Sequence, residues 1–134
     1  MRAQHEFGEA TTPLQIALPA RAESVSRARH AVVEYAERHG ADTERVALGV
    51  SEAVTNAVAH AYPGGRPGLV RVAARLSGDA LVVSVADEGE GIAPNAVRGA
   101  SGLGLTMIAT TADRMAVESL PGHGMRIEMR FQYT

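Results

Sequence analysis

The chain has 134 residues, and 13 Arg with no Lys against 15 Asp and Glu leave a formal charge of −2 with the five His neutral. That is the length of one domain, able to bury roughly 68–70% of its unfolded surface, and a 46% hydrophobic content supplies a core without staples. Zero Cys excludes a disulfide framework, thiolate zinc sites and cysteine nucleophiles. Arg and acid are interspersed from Arg21 to Arg130 with no basic block of the kind that grips nucleic acid. No apolar run approaches the roughly 18 residues that span a bilayer, and Met1-Arg2-Ala3-Gln4-His5-Glu6 lacks the apolar segment of a signal peptide. A single cytoplasmic domain over 1–134 is expected, without direct nucleic acid or membrane partner.

Residues 1–11 read as a flexible tail. Thr12, Leu14, Ile16 and Leu18 alternate with Pro13, Gln15 and Ala17, a period of two that predicts a strand. From Ala22 to about His39, Val25, Ala28, Val32, Val33 and Ala36 recur at three and four, and Gly40 stops the pattern. Asp42 or Thr43 can cap a second helix of about five turns. Its stripe is Val46, Val50, Ala53, Val54, Ala57 and Ala61, and it ends at Tyr62-Pro63-Gly64-Gly65.

Val70, Val72, Ala74 and Leu76 then alternate with Arg71, Ala73 and Arg75, and Ser77-Gly78-Asp79 turns into the run Leu81 to Val85, a hairpin signature. A Gly/Pro/Ala-rich loop or lid is expected from Ile92 to Ser101, a third helix from about Leu103 to Arg114, and two strands over Met115 to Leu120 and Gly124 to Phe131. In the last, Met125, Ile127, Met129 and Phe131 face one way and Arg126, Glu128 and Arg130 the other, so one sheet face is buried and one wet. Paired hairpins with grouped helices predict an α+β, two-layer sandwich: a mixed, mostly antiparallel sheet covered on one face by three helices.

Three features can carry chemistry. On the second helix Glu52, Asn56 and His60 stand four apart, stepping about 40° each time, and form one polar row beside the apolar stripe. A solvated helix face has the same pattern. Asp87-Glu88-Gly89-Glu90-Gly91 follows a strand of almost pure Val; an Asp there can accept a hydrogen bond from a ligand amine while glycines let the backbone approach it. An Asp/Gly turn also reads so. Gly99-Ala100-Ser101-Gly102-Leu103-Gly104-Leu105 runs into a helix start, whose free N–H groups attract phosphate. There is no phosphate-loop motif GxxxxGK[ST] and no GxGxxG. His60 and His123 lack a second close His or Cys to form a metal site.

In order, Glu52-Ala53-Val54-Thr55-Asn56-Ala57-Val58-Ala59-His60-Ala61-Tyr62, Asp87-Glu88-Gly89-Glu90-Gly91 and Gly102-Leu103-Gly104-Leu105 resemble the N, G1 and G2 boxes of the Bergerat-fold (GHKL) ATPases. Within these, Val50 to Ala57 and the short chain resemble the RsbW-like anti-sigma factor serine/threonine kinases, over about residues 14 to 131. The resemblance implies ATP and Mg²⁺ as ligands. Glu52 would activate the attacking hydroxyl, and Asn56 would bind the Mg²⁺ that bridges the phosphates. Asp87 would accept the adenine amine, with Gly89 and Gly91 hinging the lid. Gly102, Leu103, Gly104 and Leu105 would form the turn where phosphates meet the third helix.

The resemblance further implies partner switching: a homodimer that sequesters a sigma factor and phosphorylates a Ser or Thr of an anti-anti-sigma factor. Added phosphate charge is a sufficient physical reason for release of that partner. Two departures stand out. Gly122-His123-Gly124 is followed by Met125 where the family usually has Thr, whose hydroxyl lies near the phosphates, and the lid has no basic residue but Arg98. The first favours an alternative, a nucleotide-binding regulatory module without kinase activity, against which Glu52 argues because binding alone needs no base. A detached histidine-kinase ATPase domain is a third reading; it would want a phospho-accepting His on a helical hairpin.

Overall fold

The computed structural model describes residues 12–89, 111–120 and 123–132. In chain order these form β1 (Leu14–Pro19), α1 (Glu23–Arg38), α2 (Thr43–His60), a short 3₁₀ turn (Pro63–Gly65), β2 (Leu69–Ser77), β3 (Ala80–Asp87), β4 (Arg114–Leu120) and β5 (Gly124–Gln132). One five-stranded sheet has the order β1-β2-β3-β5-β4.

Each boundary has a local cause. At the end of α1, Gly40 takes φ +76°, and the N–H groups of Gly40 and Ala41 donate to the carbonyls of Glu37 and Ala36 at 3.3 and 3.0 Å. This is the paired closure that a left-handed glycine allows. Asp42 caps α2, its Oδ1 accepting from the N–H groups of Glu44 and Arg45. Between β2 and β3, Gly78 at φ +60° fills the first of two loop positions, the arrangement that matches the twist of a hairpin, and sets Ser77 opposite Ala80.

Strand parity then fixes what faces the helices. Val70, Val72 and Ala74 of β2, Leu81, Val83 and Val85 of β3, and Met125, Ile127, Met129 and Phe131 of β5 are buried against Ala28, Val32, Tyr35 and Ala36 of α1 and Val46, Val50, Ala53, Val54 and Ala57 of α2. Gly49 lets α2 lie close on β5: a side chain there would press on the Met129 sulfur and the Phe131 ring, each 3.1 Å away. On the opposite face Arg75 and Arg126 share Glu128 at 3.8 and 3.2 Å. A fully buried Val, Leu, Ile or Phe contributes about 1.5–3 kcal/mol and an exposed ion pair about 0–1 kcal/mol, so the helix side holds the sheet together.

Three expectations change. Among the described residues the sheet is not mixed: the four strand pairings are antiparallel, because the chain enters β4 at the far edge and β5 turns back into the slot beside β3. The third helix is expected from about Leu103 to Arg114, of which 103–110 lie outside the described residues; among the described residues α1 and α2 cover the sheet. The helix end expected at Arg114 is too late. Thr111 is still helical, but Asp113 N–H donates to the Arg130 carbonyl at 2.8 Å, and Arg114 already opens β4. Finally, Tyr35 joins the core at 2% exposure, with its hydroxyl donating to the Thr12 carbonyl. It lies three residues after Val32 and widens the stripe that the aliphatic residues alone define.

Candidate functional site

The polar row on α2 is graded by depth. Asn56 is 5% exposed, Glu52 is half-buried and His60 is exposed. Among the described residues the Asn56 Nδ2 is buried without a hydrogen-bond partner, a condition that costs about 1–3 kcal/mol unless a ligand or water relieves it. Amide N and O can exchange by a flip, so the free end can offer either a donor or a carbonyl. Among the described residues no group of three His, Cys, Asp or Glu forms a metal site, and neither His60 nor His123 belongs to one.

The second feature stands at the end of β3. Alternation from Leu81, Val83 and Val85 carries Asp87 to the helix side of the sheet, next in register after Val85 opposite Ile127 and Ala86 opposite Arg126. Burial there pushes the Asp87 carboxyl above its usual range, against the lowering effect of hydrogen bonds from the N–H groups of Gly89 and Met125. Both bonds go to Oδ1, at 2.9 and 3.3 Å. Oδ2 accepts none from the described residues, and so one carboxylate oxygen is held while the other is open to a donor.

Gly89 is buried against the residue that ends α2: a side chain at this position would fall on the Ala61 backbone carbonyl. Gly124, at φ +103°, lies equally close to the Asp87 carbonyl. The two glycines thus let the β3 turn sit between the end of α2 and the start of β5. Asn56 lies about 7.5 Å before Ala61 along the helix axis, which brings the orphan amide and the Asp87 turn to one end of the sandwich. Gly91, Gly102, Leu103, Gly104, Leu105 and Arg98 lie outside the described residues.

Position 125 needs a correction. The resemblance puts a hydroxyl there near the phosphates, yet in this chain Met125 is buried in the core and its N–H donates to Asp87. The missing hydroxyl therefore bears on the Asp87 end of the site. Arg126 does not substitute for it, since it is exposed on the other face and pairs with Glu128.

One group to which sequence reasoning assigns no role, Tyr62, also shapes this end, and another, Arg45, ties down the opposite end of α2. The Tyr62 hydroxyl donates to the Leu69 carbonyl at 2.7 Å and accepts from the Glu88 N–H at 2.9 Å. In the sequence Tyr62 closes the stretch that resembles the N box and stands beside the turn glycines. At the other end of α2, Arg45 of its first turn donates from Nε to the Thr111 carbonyl at 2.9 Å and pairs with Asp113 at 2.8 Å, tying α2 to the entry of β4. The Gln132 N–H and Arg45 together hold the Asp113 carboxyl below its usual range. No sequence spacing links positions so far apart.

Among the described residues no helix is long and apolar enough to cross a membrane. Residues 18–131 match the histidine kinase-like ATPase domain. An anti-sigma F factor of Thermoanaerobacter pseudethanolicus is 30% identical over 135 residues, which cover 90% of this chain and 94% of the relative. One from Clostridium acetobutylicum is 32% identical over 136 residues, covering 90% and 93%. The crystal structure of the RsbU and RsbW domains of Rv1364c from Mycobacterium tuberculosis superposes with a TM-score of 0.72 at 27% identity, covering 91% of this chain and 32% of that one. Acinetobacter baumannii histidine kinase AdeS, at 12% identity and a TM-score of 0.56 over 89% of this chain and 68% of its own, shares the fold. The chain belongs to the histidine kinase-like ATPase domain family, among its RsbW-like anti-sigma factors.

Proposed function

We propose that this chain is an ATP-binding anti-sigma regulator that sequesters a sigma factor and, with Mg²⁺, phosphorylates a Ser or Thr of an anti-anti-sigma factor, acting as a cytoplasmic homodimer. The observation that carries the nucleotide reading is the half-committed Asp87 carboxylate, held on Oδ1 and open on Oδ2, at the same end of the sandwich as the orphan amide of buried Asn56. An acceptor suits the adenine amine and a flipped amide carbonyl suits Mg²⁺, so these residues fit both groups.

Each side chain then has a task. Asp87 Oδ2 accepts from the adenine amine. Asn56 would hold the metal, which would supply charge neutralisation to the phosphates. Glu52, one turn before Asn56 and only half-buried, takes the proton from the incoming Ser or Thr hydroxyl. The Oγ–Pγ bond forms as the bond from Pγ to the β–γ bridging oxygen breaks, and ADP leaves. Gly102 to Leu105 are assigned the phosphate turn. The phosphate adds about −1.5 to −2 charge to the partner, enough to disfavour an acidic contact.

The test is transfer of radiolabelled phosphate from ATP to a purified anti-anti-sigma protein of the same genome, alongside calorimetric ATP titration. Label should pass with the wild type and be lost in Glu52→Gln while ATP binding persists; Asn56→Ala should lose Mg²⁺-dependent binding. Nucleotide binding without transfer in the wild type would leave a regulatory module without kinase activity. No binding at millimolar ATP would end the nucleotide reading.

A further inference from the structure

We propose that Tyr62 is a positioning residue for base recognition, its hydroxyl fixing the turn that presents the open Asp87 oxygen to an adenine amine. The proposal rests on the adenine reading of Asp87 given above.

Tyr62 leaves α2 in a non-helical conformation, φ −125° and ψ 79°, ahead of Pro63. A phenol can donate one hydrogen and accept another, and here both capacities are used on backbone: the Leu69 carbonyl at the start of β2 and the Glu88 N–H directly after Asp87. The ring lies directly on Gly68, where any side chain would strike it. Its neighbour Ala61 is packed against Gly89. Two consecutive residues at the end of α2 thus grip two consecutive residues of the Asp87 turn.

The grip is one of position more than of packing. A cleft of about 530 Å³ opens beside Tyr62, bounded by Arg66, Leu69 and Glu88, so the ring is not enclosed in the core. The Gly89 N–H to Asp87 bond survives without the phenol, and Tyr62→Phe keeps the ring on Gly68. What that variant loses is the tie on Glu88, one residue from the carboxylate. The Arg71–Glu88 pair at 3.3 Å does not replace it, since both side chains are exposed and water screens them.

The experiment titrates the full chain and Tyr62→Phe with ATP and with inosine triphosphate, which lacks the amine, in the presence of Mg²⁺. We expect the wild type to prefer ATP, and the variant to lose about three- to tenfold of that preference through weaker ATP binding with inosine triphosphate affinity unchanged. Equal losses for both nucleotides, or an unchanged ratio, would mean a merely structural tyrosine and overturn the proposal. A wild type that does not distinguish the two nucleotides would instead overturn the reading of Asp87, and the proposal with it. Amide hydrogen exchange supplies a second measurement that stands even if the variant does not fold. The Glu88 N–H should be protected in the nucleotide-free wild type, and free exchange there refutes the Tyr62 bond.

Discussion

Asp87→Asn separates what the carboxylate does for the ligand from what it does for the fold. The carbonyl oxygen of the substituted amide can still accept from the N–H groups of Gly89 and Met125, so both anchoring bonds persist with a neutral acceptor. The charge that burial disfavours is gone. Burial raises the folded-state pKa of Asp87, so the folded protein holds this proton more tightly than the unfolded chain does. Its stability contribution is complete below the unfolded pKa of about 4 and is lost as pH rises through the folded value. Above the folded value the wild type carries the full penalty. The variant should therefore be at least as stable as wild type without nucleotide, with the difference shrinking as pH falls toward about 4. ATP binding should move the other way. The amide turns a donor toward the adenine amine, leaving both unpaired, at a cost of about 1–3 kcal/mol, or about 5- to 150-fold in Kd. Urea unfolding across a pH series and calorimetric titration read the two effects. A variant less stable than wild type by more than about 1 kcal/mol at pH 7, or one that binds ATP normally, would refute the reasoning.

Gly89→Ala should lower unfolding stability by about 1–3 kcal/mol, since the new methyl meets the Ala61 backbone carbonyl, which cannot move without shifting α2; ATP affinity should fall with it. A normal urea midpoint would contradict the close approach. Asp42→Ala should cost about 1 kcal/mol by freeing the N–H groups of Glu44 and Arg45. It should leave ATP affinity unchanged, because Asn56 is about 21 Å away along the helix, and a titration showing otherwise would mean that α2 does not act as a rigid rod.

Local rules make most of the fold legible. The stripe on α2 is buried throughout, from Val46 to Ala61, because a long helix with one apolar face has one way to lie on a sheet. Alternation in β5 sets Met125, Ile127, Met129 and Phe131 inward without ambiguity. Strand order is less legible: no residue in β4 or β5 encodes that β5 lies between β3 and β4, which depends on where a long connection delivers the chain. The end of the third helix escapes a local reading for a related reason. Its apolar pattern continues toward Arg114, and what stops it is the Arg130 carbonyl, a sheet partner 17 positions after Asp113.

The site divides along the same line. Asn56 and Asp87 can be picked out because each sits in a short motif whose spacing is local, and parity alone turns Asp87 toward the helices. What holds Asp87 in place has no such signal, since Met125 N–H comes from 38 residues away and Tyr62 reaches Glu88 across 26. This distinction changes the meaning of the substitution at position 125. As a motif, Met for Thr suggests weakened phosphate handling and hence a weakened kinase. In the fold, the backbone N–H that bonds Asp87 is the same for either residue, whereas the side chain is absorbed by the core, 7% exposed. Met125 thus preserves the anchor of the carboxylate proposed to bind the base and changes only the side chain beside it. Loss of the motif threonine is accordingly an argument about nucleotide preference at the Asp87 end, and a weak one against phosphoryl transfer.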